Sequence, residues 1–416
     1  MNEIRLAGLL VPLSLVSDLG MGFAPEHSIR NCLLAMVVGR EMGLAVEDLS
    51  DLYYTALLFD IGCTASAHEF AMFVGGDDVA MRGLSAVTDF ADAKQSLAFM
   101  KQVGSGLRPG ARTLTRMKAM ASGSRAGRYF VRGTCEVGTR LVARLGLGPG
   151  TVRAIDQIFE RWDGKGDPHG LEGESIALVA RIVSATYLAL SVHEVAGAEA
   201  AIAELRRCAG SSLDPQVVEV VAKGCNKMFA HFDETDPFAE AIDAEPRPIK
   251  IFPSTHLREV ALAFTDLADL KTPHTAGHSR AVADLVTAAG SRGPGSDLEL
   301  AALLRDLGRV GISNSIWSKP GPLTISEWES VRLHAYHSER IISKVPALSA
   351  LAPLVGMHHE RLDGSGYHRG SRGSEISLDV CLIAAADAYH SMIQDRPYRG
   401  AMTLGQAALA LQEEVT

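Results

Sequence analysis

A chain of 416 residues exceeds one ordinary hydrophobic core, so two or three domains are expected. Apolar residues at 47% and charged residues at 21% give a globular balance, and a net charge of −9 argues against nucleic-acid binding over the whole surface. The six cysteines (Cys32, Cys63, Cys135, Cys208, Cys225 and Cys381) include no close pair, which excludes a disulfide scaffold or zinc ribbon and suits a reducing, cytoplasmic compartment.

The apolar run Leu6–Leu15 is too short to span a bilayer and reads as buried core; no membrane contact is expected. Thr55–Asp60 reads as the end of an apolar helix closed by Gly62. From Lys101 to Arg132 the chain carries Lys101, Arg108, Arg112, Arg116, Lys118, Arg125, Arg128 and Arg132 with no acid between them. This is a solvated helix face or, alternatively, an anion or partner contact. Glycines and serines at 104–106 and 122–127 predict turns within it. Ala154–Phe159, Ile176–Leu190 and Ala198–Cys208 predict further helices. An acid- and proline-rich stretch begins at Asp233, and 236–249 reads as a linker, because proline stops helices and acids keep the chain solvated. Beyond it, Ser296-Asp297-Leu298-Glu299 and Thr324-Ile325-Ser326-Glu327 are capping boxes that open helices 297–307 and 325–344. Ile376–Ile393 predicts the last long helix. Strand-like alternation is missing, so the fold class is all-α.

The sequence repeats. Arg161-Trp162-Asp163-Gly164-Lys165-Gly166 resembles Arg361-Leu362-Asp363-Gly364-Ser365-Gly366, 200 residues on. Leu57-Leu58-Phe59-Asp60-Ile61-Gly62 resembles Leu303-Leu304-Arg305-Asp306-Leu307-Gly308, and His27-Ser28 resembles His278-Ser279. The chain therefore reads as two tandem helical modules, 1–235 and 250–416, joined by the linker. The second ends before any counterpart to Ser211–Ala230 and is expected to be truncated at its C-terminus.

His278, Asp306, His334, the adjacent pair His358 and His359, and Asp387 lie in or at the ends of separate predicted helices. Taken singly, each histidine reads as a surface or satisfied residue. Together they suit a divalent metal, since imidazole and carboxylate hold Zn, Mn, Fe or Ni, and bundle interiors build such sites. Paired metals roughly 3.5–4 Å apart clamp a phosphoryl group and generate hydroxide near neutral pH.

This pattern resembles the HD-GYP branch of the HD-domain metal-dependent phosphohydrolases. The carriers are His278-Ser279, Leu304-Arg305-Asp306-Leu307-Gly308-Arg309, Lys319-Pro320-Gly321-Pro322-Leu323-Thr324, His334, His358-His359-Glu360 through Gly366-Tyr367, Ala386-Asp387 and Asp395-Arg396-Pro397-Tyr398-Arg399. The resemblance implies two tandem HD-type helical bundles, metal-dependent hydrolysis of cyclic di-GMP, and ligands at His278, Asp306, His334, His358, His359 and Asp387. It implies catalytic roles for Asp306 and Arg309, and phosphate contacts from Arg309, Arg396 and Arg399, whose guanidinium forks suit phosphate oxygens.

Some positions depart from the family. Arg305 replaces its metal-binding histidine and cannot be a ligand, having no lone pair to give. It either swings outward or fills the empty metal position and holds phosphate, so one or two ions (Fe, Mn or similar) are expected. His390 stands where a second acid is expected, one turn past Asp387. In the first module Thr134 replaces His334, Ile158 and Phe159 replace the histidine pair, and Tyr187 replaces Asp387. Only His27 and Asp60 survive, so that module is expected to be metal-free, its cavity filled as core.

Two functions stay open. One is a phosphodiesterase acting on cyclic di-GMP or a related phosphoester. The other is a catalytically inactive module that binds a nucleotide or partner and controls a transcriptional output domain. Relatives with two modules often carry a LuxR-type helix-turn-helix, so DNA contact is implied only through a domain not present in this chain. A homodimer is a further expectation.

Overall fold

The computed structural model describes residues 3–232, 234–290, 293 and 295–413. Asp233, where the acid-rich stretch begins, and the chain ends Met1 and Thr416 lie outside the described residues, as does the expected truncation. The described chain is all-α, with one pair of three-residue strands, Glu3–Arg5 and Ile251–Pro253. It divides into two compact units. The first comprises Arg5–Ser66 and Met72–Ile251; the second holds the chain up to Ile4, Ala67–Ala71 and the chain from Phe252 onward.

In the first unit, helix His27–Glu41 packs on Val46–Leu57 and on Leu178–Ala196. Its buried Ile29, Cys32, Leu33 and Met36 recur at helical spacing and form one apolar stripe. Leu178–Ala196 is long and apolar enough to cross a membrane by length and composition, yet more than half of it is buried within the unit. The basic run starts with Lys101 at the end of helix Ala93–Gln102 and continues from Arg108 along the helix Pro109–Arg144. Arg112 reaches back to the carbonyls of Gly104 and Ser105, and Arg116 to those of Val103 and Lys101. Arg116 thereby caps the end of helix Ala93–Gln102, and Arg112 braces the turn that follows it. Lys118, Arg125, Arg128 and Arg132 are exposed.

Several sequence expectations are corrected. Residues 122–127 form no turn but lie inside Pro109–Arg144, where Ser122 Oγ donates to the Lys118 carbonyl at 2.8 Å instead of breaking the helix. The segment read as a linker contains the helix Pro237–Ala244. Pro237 sits in its first turn, where no N–H is needed, the Asp236 carboxylate accepts from Phe238 N–H at 3.0 Å, and Phe238 and Ala241 are buried. The helices end sooner than expected at Leu57, Asp156 and Leu304. After Leu304 the chain must tighten, because a β-carbon at Gly308 would overlap the His334 carbonyl. Gly62 meets the Thr134 carbonyl in the same way in the first unit.

In the second unit, His278–Gly290 packs on Asp297–Leu304 and on Leu378–Met392. Ile325–Ser343, opened by the expected Thr324–Glu327 capping box, packs on Ala352–Gly356 and on the 3-10 turn Leu307–Gly311. Met357, Ile376 and Val380 form a small apolar cluster that anchors the end of Ala352–Gly356. This packing turns the start of one helix, the ends of two and the middles of two more toward one interior point.

Candidate metal centre

At that point stand all six expected ligands, in two groups. His334, His358 and His359 form one and His278, Asp306 and Asp387 the other, with the donor atoms of each group within 4.8 Å of one another. His334 Nδ1 donates to the Val331 carbonyl at 2.5 Å and His358 Nδ1 to the Val355 carbonyl at 2.6 Å. A carbonyl can only accept, so in each neutral ring the proton lies on Nδ1 and the lone pair on Nε2. The two Nε2 atoms face each other at 3.3 Å, with Asp306 Oδ1 3.4 Å and 3.6 Å away. Lone pairs and a carboxylate pointed at one spot repel unless a cation lies among them. The donor set therefore fits a divalent ion.

Electrostatics favour the same state. Burial, then the neighbouring His358, pushes the His334 imidazole down to about 3. Burial likewise holds His359 well below its usual range. Both rings are neutral near pH 7, as metal ligands must be. Burial works to raise Asp306, but the guanidinium groups of Arg309 and Arg305 overcome it and hold the carboxyl well below the usual range. Asp387 is also held low against burial, mainly by Arg305 and then by His278.

Of the two expected positions for Arg305, the outward one is excluded. The side chain is fully buried, its Nη1 donates to the Ala302 carbonyl at 2.7 Å, and its Nη2 donates to Asp387 Oδ1 at 2.6 Å and lies 3.1 Å from Asp306 Oδ2. Its partners are carboxylates. Arg309 donates to Asp306 Oδ2 at 3.2 Å and lies 4.6 Å from the Trp317 ring centre, which fixes the guanidinium beside the imidazoles. Arg396 donates to the His274 carbonyl, Ser391 and Gln394, and Arg399 to the Ser391 and Met392 carbonyls at a helix end. Arg396 and Arg399 thus stand at the rim already hydrogen-bonded to their own chain.

The first unit places different chemistry at the matching positions. Tyr187 donates its hydroxyl to Asp60 Oδ2 at 2.9 Å and stacks on Phe59 at 4.0 Å, and His27 stacks on Phe23 at 4.0 Å. Aromatic rings fill the interior there. Burial lifts Asp60 to about 7, against the Tyr187 hydrogen bond.

Comparison with known proteins agrees with this geometry. The HD-domain family profile matches residues 263–416. The chain is 32% identical to the 3'3'-cGAMP-specific phosphodiesterase 3 of Vibrio cholerae serotype O1, over 99% of this chain and 91% of that protein. This chain belongs to the HD-domain family. The crystal structure of the cyclic GMP-AMP specific phosphodiesterase V-cGAP3 of V. cholerae matches this HD-domain protein with a TM-score of 0.67 at 28% identity, covering 99% of this chain and 94% of that one. A cyclic di-GMP phosphodiesterase of Thermotoga maritima is 39% identical over 114 residues, 27% of this chain and 31% of that protein.

Two supporting residues of the HD-domain protein, Asp269 and Glu360, had no role in the sequence reading, and a third, His390, figured there only in the place of an expected acid. Buried Asp269 accepts from the backbone N–H and hydroxyl of Ser279 and so fixes the start of the helix that carries His278. The Glu360 carboxylate accepts from the N–H groups of Arg369, Gly370 and Ser371 and fastens the glycine-rich loop behind the histidine pair. His390 lies with its Nδ1 2.8 Å from that of His278. The repeat carried the signal for the first two, since Asp18–Ser28 and Glu160 recur as Asp269–Ser279 and Glu360.

Proposed function

We propose that this protein is a metal-dependent phosphodiesterase that opens a cyclic dinucleotide, with 3'3'-cGAMP as the first substrate to test and cyclic di-GMP as the second. The observation that carries this reading is the convergence of His334 and His358 on Asp306, their two Nε2 lone pairs facing each other, with His359 grouped beside them. The relatives' named activities support the substrate class. A divalent ion held by His334, His358, His359 and Asp306 would supply Lewis-acid polarisation of a phosphoryl oxygen and a water of lowered pKa. Arg309, steadied by Trp317, is the chain's own donor to a phosphate oxygen beside that point. Arg396 and Arg399 orient the second phosphate at the rim. Tyr367, stacked on His359 at 4.8 Å, limits how far that ring can turn.

The inactive regulatory reading draws on the Arg305 ion pairs, which occupy one of the two donor groups. Purified protein loaded with Mn or Fe and incubated with each dinucleotide separates the two. Linear product that is lost in His358→Ala supports the enzyme. Tight dinucleotide binding with no product from metal-loaded protein would leave the regulatory module standing.

A further inference from the structure

Arg305 places a positive charge where the second donor group would otherwise need one. Its Nη2 touches Asp387 Oδ1 and Asp306 Oδ2, two of the three donors in that group. The third, His278 Nε2, lies 2.8 Å from the same Asp387 oxygen. The side chain is fully buried and its Nη1 is tied to the Ala302 carbonyl, so the guanidinium is fixed at the helix end that carries it. A fixed, always-protonated cation bridging two carboxylates makes the contacts a metal ion would make there. Among the described residues no comparable cation is seen bridging His334, His358 and His359: the guanidinium groups of Arg305 and Arg309 both meet Asp306 at Oδ2, whereas His334 and His358 face Oδ1.

We infer that Arg305 is a built-in substitute for a second metal ion, so that the chain holds one divalent ion at His334, His358, His359 and Asp306 and none at His278 and Asp387. This rests on the reading of the imidazole group as a metal site given above. A guanidinium offers one positive charge and no exchangeable water, so the second position can neutralise Asp306 and Asp387 but cannot activate water. It also cannot be stripped by a chelator. The two carboxylates therefore keep a counter-charge in metal-free protein, which a dinuclear site would lose.

The test is metal counting on full-length protein that has been chelated, reloaded with Mn, desalted and analysed by mass spectrometry. One ion per chain is expected for the wild type, one for Arg305→Lys, and two for Arg305→His. His278→Ala should still hold one ion, because His278 faces the arginine-filled group. Two ions in the wild type, or loss of an ion in His278→Ala, would overturn the substitution while leaving the imidazole site intact. No ion in the wild type would instead overturn the metal reading itself. If Arg305→His does not fold, the wild-type and His278→Ala counts still decide. Melting with and without chelator gives a second readout. Chelation should lower the melting temperature of Arg305→His by more than that of the wild type, and equal shifts would count against the substitution.

Discussion

Asp60 and Asp306 occupy matching places in the two units and meet opposite surroundings. Asp60 faces a tyrosine hydroxyl under a lid of aromatic rings, and burial lifts its carboxyl to about 7. Asp306 faces two guanidinium groups and two imidazoles, and its carboxyl stays well below the usual range although it is just as buried. Burial alone therefore does not set the charge of an interior acid. The partners around it do: Asp60 meets the Tyr187 hydroxyl and aromatic rings, whereas Asp306 meets the guanidinium groups of Arg305 and Arg309.

The largest expected effect separates the two acids directly. Asp306→Asn leaves Arg305 and Arg309 short of a counter-charge in a buried site, a loss of about 3–5 kcal/mol in chelated protein. Asp60→Asn removes an acid that burial already disfavours, and at pH 8 should be neutral or stabilising. Hydrogen exchange of the helices in each unit reads the two losses separately. Equal losses would end the contrast.

A smaller effect is the pH dependence of the first unit. Asp60 has a folded value near 7 and an unfolded value near 3.8. Between them the folded chain binds the extra proton, so the unit's stability falls as pH rises from about 4 to 7 and levels off above. Asp18, lifted by burial to about 6, adds the same sign. Asp60→Asn should remove most of that slope. A wild-type unit whose exchange protection does not change from pH 5 to pH 8 would contradict the assignment.

The loops behind the two sites give a finer contrast. Glu360 accepts from three backbone N–H groups at 2.6–3.2 Å, and Glu160 from two, His169 and Leu171, at 2.7 and 2.9 Å. Hydrogen bonds to a charged acceptor contribute about 1.5–3 kcal/mol. Glu360→Gln should loosen amides 369–371 more than Glu160→Gln loosens 169 and 171, as exchange rates would show.

The helical class and the six side chains that converge in the second unit could be read from the sequence, because helix caps and apolar spacing are local signals and the histidine–acid pattern matches a family's motifs. The ionic partner of Arg305 could not. Asp387 lies 82 residues away, and only packing shows that the guanidinium turns inward to it. The helix at Pro237 was hidden because proline stops a helix everywhere but its first turn. The serines at 122 and 124 looked like breakers because their hydroxyls compete for backbone groups, yet Ser122 satisfies its own hydroxyl on the preceding turn.

The smallest expected effect is one where the units should agree. Ser28 donates its N–H and hydroxyl to Asp18 at 3.0 and 2.6 Å, and Ser279 does the same to Asp269 at 2.9 and 2.7 Å. Burial lifts both acids, to about 6 and about 7, against those hydrogen bonds. Ser28→Ala and Ser279→Ala each remove one donor from a buried carboxyl, a cost of about 1 kcal/mol. This pair sets how each helix begins, before His27 meets aromatic rings and Glu194 in one unit and His278 meets Asp387 and His390 in the other. Equal losses by exchange in the two units would mean that the helix start is the same device in both, and that the divergence begins only with what His27 and His278 face. A loss in Ser279→Ala several times that in Ser28→Ala would carry the difference back into the scaffold itself.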